Sequence, residues 1–87
     1  MKRAWLAKVK LNGLALRGAR SPAVKNDRAV VLAAVTNNGC ALTYASAERK
    51  NDGEVVLAAV KQNGSALSCA SEELKNDREV VLAAVSN

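Results

Sequence analysis

The stretch NDREVVLAAV, from Asn76 to Val85, is written NDRAVVLAAV from Asn26 and NDGEVVLAAV from Asn51, so the chain repeats itself with a period of 25. The phase holds through NDRAVVLAAVTNNGCALTYASAERK (26–50), NDGEVVLAAVKQNGSALSCASEELK (51–75) and the shorter NDREVVLAAVSN (76–87). A fainter copy precedes them: WLAKVKLNGLAL from Trp5 aligns with VLAAVTNNGCAL from Val31 at a shift of 26, with one insertion around Ser21-Pro22. A unit this short cannot bury its own apolar face, so it must bury that face against its neighbours. The expected fold is all-α: short helical-hairpin repeats of about 25 residues, stacked as a small solenoid. It divides into a divergent basic first unit (1–25), full repeats at 26–50 and 51–75, and a terminal half repeat (76–87).

Each unit carries its own punctuation. Asn51 reads as a helix N-cap, with Glu54 three residues on to complete a capping box and Asp52 favoured by the helix dipole; Asn76 and Glu79 repeat the pattern. Val55, Val56, Ala59 and Val60 then fall on one side of a helix, and Leu57 and Ala58 carry the apolar surface almost all round. Asn-Gly at 12–13, 38–39 and 63–64 reads as a stop, the Gly taking the left-handed conformation that closes a helix. In the helix that follows, Ala66, Leu67, Ala70 and Leu74 share a face. Ser71 can instead open a short turn of its own, leaving that second helix broken or partly 3-10. Strands fit less well despite the hairpin signal of Asn-Gly, because the apolar run does not alternate and the Ala pair is a poor strand former. The pattern predicts seven helices, beginning near Arg3, Leu14, Asp27, Cys40, Asp52, Ser65 and Asp77.

The run from Asn76 back through Asn51 to Asn26, ND-R-E-V-V-L-A-A-V-x-x-N-G-x-A-L-x-x-A-S-E-E-L-K, resembles the tandem repeats of the domain of unknown function 4116 family. The resemblance is close from Asn26 to Asn87 and weak before that. It implies a repeated architecture and supplies no activity and no site residues. A looser likeness is to the leucine-rich repeat variant, whose similar period sets a helix and a short 3-10 helix into a superhelix; this chain lacks its prolines. Arrays of the resembled family are commonly longer. The last unit is therefore either a blunt cap or part of an array whose next unit would cover Val81, Leu82 and Val85. Lys8 and Lys10 replace Ala34 and Thr36 in the first unit, as suits a polar terminal repeat.

Composition removes most catalytic templates. There is no His, and the two cysteines, Cys40 and Cys69, form no CxxC, so neither a zinc site nor a redox pair is indicated. Two buried structural thiols, reduced and near apolar helical faces, are expected. Glu72 and Glu73 are adjacent on a helix and diverge, which makes a solvated face rather than an acid/base pair. Tyr44, whose phase holds Cys69 and Gly18 in other units, reads as a packing residue. No enzyme activity, cofactor, metal or small-molecule substrate is expected. No apolar run is long enough to span a membrane, and MKRAWLAKVKL is interrupted at Lys8 and Lys10, against a secretory signal.

Charge is uneven. Residues 1–25 hold seven basic groups and no acid, whereas residues 26–87 hold six basic and eight acidic ones. One reading is a surface for nucleic acid or anionic membrane built from Lys8, Lys10, Arg17 and Arg20 with Trp5 stacking or anchoring. A second is an organellar transit segment, and a third a solvated cap; the cytoplasm is the compartment otherwise expected. Positions that vary between units, Thr36/Lys61, Asn37/Gln62, Cys40/Ser65, Thr43/Ser68, Ala47/Glu72 and Arg49/Leu74, form a ridge where a partner would be selected. Lys61 and Gln62 are its candidate contacts. The leading expectation is a protein-interaction or structural module with an unidentified protein partner.

Overall fold

A computed structural model describes residues 2–86; Met1 and Asn87, the two ends of the expected array, lie outside them. The elements in order are α1 (Lys2–Leu11), η1 (Gly13–Gly18), α2 (Pro22–Asn26), α3 (Arg28–Asn37), η2 (Gly39–Tyr44), α4 (Ala47–Lys50), α5 (Gly53–Gln62), η3 (Gly64–Cys69), α6 (Glu72–Lys75) and α7 (Arg78–Val85), where η denotes a 3-10 helix. The fold is all-α, with no strand among the described residues. Each long α-helix packs on the long helix of the adjoining repeat, α1 on α3, α3 on α5 and α5 on α7, while η1, η2 and η3 form a second row.

Among the described residues there are ten helical segments rather than seven, because the second helix of each of the first three units is divided. Its first part is 3-10. Ala45 and Ala70 then take extended backbone, as do Ser46 and Ser71, whose hydroxyls cap the short helices by accepting from the amides of Arg49 (3.2 Å) and Leu74 (3.3 Å). The new start at Ser71 is thus the correct alternative.

The N-cap expected at Asn51 lies one residue on. Asp52 is the cap, its Oδ1 accepting from the amides of Glu54 (3.1 Å) and Val55 (3.3 Å), and Asp27 and Asp77 serve α3 and α7 likewise. Asn51 instead ends α4, its N–H donating to the Ala47 and Glu48 carbonyls at 3.2 Å. The Glu54 carboxylate turns to Arg28 of the preceding repeat, so there is no capping box.

The glycines also work differently from expectation. No residue among those described has positive φ. Asn12, Asn38 and Asn63 turn the chain in extended conformation, φ −151, −149 and −154. Each closes one helix with its N–H, 2.9 Å from the Lys8, Ala34 or Ala59 carbonyl. Each opens the next with its side chain, which accepts from the amide two residues on, at 3.1, 3.0 and 3.0 Å. The Gly that follows is needed for close approach. A Cβ on Gly64 would lie 2.5 Å from the Ala84 carbonyl oxygen of the next long helix, and Gly13 and Gly39 abut Ala34 and Ala59 more tightly still.

Polar bonds run between repeats in the same register. The Asn37 side chain accepts from Gly13 N–H (2.7 Å) and donates to the Lys10 carbonyl (3.0 Å), and Gln62 Oε1 accepts from Gly39 N–H. Ser46 donates its amide to the Lys25 carbonyl of the preceding repeat (3.0 Å) and its hydroxyl to Asn26 Oδ1 of its own (2.7 Å); Ser71 likewise donates to Lys50 of the preceding repeat (3.1 Å) and to Asn51 of its own (2.7 Å). The core between these bonds is aliphatic: Val9, Leu16, Val30, Val31, Val35, Leu42, Val55, Val56 and Val60 are all fully buried. No polar or charged residue among those described is buried. Burial at roughly 25 cal/mol per Å² is therefore gathered in small increments, which close helix approach makes possible.

Two glycines predict opposite effects. Gly39→Ala should destabilise the protein by about 1–3 kcal/mol, since backbone rather than a movable side chain blocks the added methyl. Gly53→Ala, whose Cβ would meet nothing within 4 Å at the start of α5, should stabilise by up to about 1 kcal/mol. Urea melts of both variants beside the parent check the pair; a shift of the same sign in both would contradict the close-approach account.

Candidate functional site

The seven residues expected to bind a partner do not form one site. Lys8 and Trp5 lie on α1, where the Lys8 ammonium sits over the indole at 4.7 Å from its centroid. Trp5 is half-buried against the core, and a Cβ at Gly18 would stand 3.9 Å from its Cη2, so the ring lies beside the glycine at the phase of Tyr44. Much of the indole is thus engaged by the protein itself. Lys10 lines a shallow depression with Leu32, Ala33, Thr36 and Asn37. Arg17 lines another with Asn12, Leu14, Ala15, Gly18 and Tyr44, and no residue belongs to both. Arg20 is exposed beyond η1. Lys61 is exposed at the end of α5, and Gln62 beside it bonds to the preceding repeat through Gly39.

The variable ridge is accordingly mixed. Thr36, Asn37, Thr43, Lys61, Gln62, Ser68 and Glu72 are exposed. Asn37 and Gln62 also hold repeats together, and Leu74 is buried where Arg49 makes ion pairs with Glu48 (3.0 Å) and Asp52 (2.9 Å). Sequence reading missed these structural roles because an amide that differs from unit to unit looks like a solvent-facing choice. Their common offset from the Asn-Gly glycine was the available signal.

The cysteines are free and half-buried rather than fully buried. Cys40 Sγ accepts a weak bond from Asn63 Nδ2 at 3.4 Å, another contact between repeats. Among the described residues no group of acidic or sulfur side chains is arranged to hold a metal ion, and no helix is long and apolar enough to cross a membrane.

An ion-pair cluster joins α3 to α5. Arg28 donates from Nε to Asp52 (2.9 Å) and from a terminal nitrogen to Glu54, and Arg49 adds a second donor to Asp52 at 2.9 Å. Burial raises the pKa of the Asp52 carboxyl, but hydrogen bonds from Arg28 and from the Val55 and Glu54 amides, with the Arg28 charge, outweigh it and leave the group below its ordinary value. Its hydrogen bonds to the Asp52 and Glu54 carboxylates raise the pKa of the Arg28 guanidinium above its ordinary value.

These features define a class: an all-α tandem-repeat protein whose units are joined by register-matched polar contacts. The chain belongs to the family described as Domain of unknown function (DUF4116), whose model matches twice, at residues 5–50 and 52–87. Each match extends over more than one 25-residue period. No curated protein and no solved structure matches the chain.

Because the folded pKa of Asp52 is depressed, its contribution to stability is complete above the unfolded carboxylate pKa of about 4 and is lost as pH falls through the folded value. Denaturation midpoints should therefore fall on acidification below about pH 4. In Asp52→Asn, which keeps a capping oxygen and loses the charge, the fall should be shallower. A titration of midpoint against pH that is identical in both proteins would remove Asp52 from the account.

Proposed function

We propose that this chain is a non-enzymatic solenoid of stacked helical repeats that serves as a protein-interaction or structural scaffold. The reading takes residues 1–25, 26–50, 51–75 and 76–87 as successive units of one array. The observation that supports it is that side chains and backbone at two successive repeat edges meet partners on the adjoining repeat in one register, Asn37 with Gly13 and Gln62 with Gly39. Large apolar side chains are also exposed, Leu11 at 87% and Val85 at 71%. Exposed apolar side chains suit docking to other protein surface.

A second reading, binding of nucleic acid or anionic membrane through residues 1–25, draws on the seven basic groups there. It is the weaker one because the cations spread apart: Lys10 and Arg17 face different depressions, and Lys8 covers Trp5. Base stacking needs an open aromatic face.

A salt titration separates the two. Parent protein and a folded variant carrying Lys8→Glu, Lys10→Glu and Arg17→Glu are compared for binding to single-stranded RNA and to vesicles rich in anionic lipid. The scaffold reading expects weak, equal binding by both. Tight binding by the parent that falls steeply with salt and vanishes in the variant would establish the electrostatic site instead.

A further inference from the structure

Asn-Gly recurs in phase at 12–13, 38–39 and 63–64, and the dipeptide has a chemistry of its own. A glycine nitrogen has no Cβ beside it to hinder attack on the side-chain carbonyl carbon of the asparagine before it. Attack closes a cyclic succinimide. The side-chain nitrogen leaves as ammonia, carrying off the proton lost from the glycine N–H, and water then opens the ring to aspartate or to isoaspartate. The glycine nitrogen must therefore be free to lose its proton and to approach the asparagine Cγ.

In the folded chain the first two of these nitrogens are occupied by the next repeat. Gly13 N–H donates to Asn37 Oδ1 at 2.7 Å, and Gly39 N–H donates to Gln62 Oε1. Both glycines are buried. The asparagine side chains are held as well, Asn12 and Asn38 accepting through Oδ1 from the amides of Leu14 (3.1 Å) and Cys40 (3.0 Å). Asn37 is itself fixed by its bond to the Lys10 carbonyl at 3.0 Å.

We infer that Asn12 and Asn38 are sites of spontaneous deamidation, guarded by the side-chain amides of Asn37 and Gln62 and modified only when the joint between repeats opens. Guards and guarded pairs all lie within residues 12–62, so the arrangement is independent of what adjoins either end of the chain. The change runs one way. Isoaspartate adds a methylene to the backbone immediately before Gly39, where the chain already lies too close to the Ala59 carbonyl to admit a methyl group. A joint that has opened and reacted cannot close again as before.

The test incubates the whole chain in mildly alkaline buffer, native and unfolded in urea, and follows deamidation at each asparagine by peptide mapping and mass spectrometry. Asn12 and Asn38 should react at least about tenfold more slowly in the native chain, since reaction there waits on local opening. Gln62→Ala should speed Asn38 about fivefold, the effect of one lost hydrogen bond, and leave Asn12 unchanged. Asn37→Ala should speed Asn12 and leave Asn38 unchanged. Gln62→Glu, which keeps an acceptor oxygen, should leave Asn38 protected. General loosening of the fold would speed both sites in every variant, so the crossed pattern isolates the guards. Equal rates in native and unfolded parent, or an alanine variant that does not selectively speed its own site, would overturn the inference.

Discussion

The closest constraint in this fold is the meeting of a glycine with a carbonyl. Gly13, Gly39 and Gly64 rest against the carbonyls of Ala34, Ala59 and Ala84, leaving no room for a methyl group. That approach sets the separation between neighbouring repeats, and a core of Val, Leu and Ala is suited to it. Larger side chains would force the helices apart and break both the contact and the amide bonds at Gly13 and Gly39. The Asn before each Gly makes the geometry possible, ending one helix and starting another without a left-handed residue.

Much of this was legible in the sequence. The period, the helical character and the positions of the long helices followed from the apolar pattern and the recurrent Asn-Gly. Two errors share a cause. Local preference favours Asn51 as an N-cap and Gly64 as a left-handed stop. Tertiary contacts decide otherwise: Ser71 of the following short helix claims Asn51, and Ala84 of the following long helix claims the space at Gly64. A role set by a residue 20 positions away cannot be read from the local signals at a helix end.

The candidate site was less legible for a related reason. A count of cations marks residues 1–25 as a basic segment, but α1 and η1 turn Lys10 and Arg17 to different depressions. Charge density along a chain becomes charge density on a surface only when the fold brings the groups together. By contrast the three-residue cluster of Arg28, Asp52 and Glu54 crosses 24 to 26 positions of sequence and is invisible without the repeat register.

The cap formed by Asn12, Asn38 and Asn63 has a further consequence for how such a chain can grow. Each of the two full repeats, 26–50 and 51–75, brings a glycine that fits the unit after it and an alanine carbonyl that receives the unit before it. An in-frame duplication of 25 residues therefore arrives with both halves of every joint it must make. Length can change without any new contact being invented, while a single altered joint is felt by the unit next door rather than by the one that carries the change.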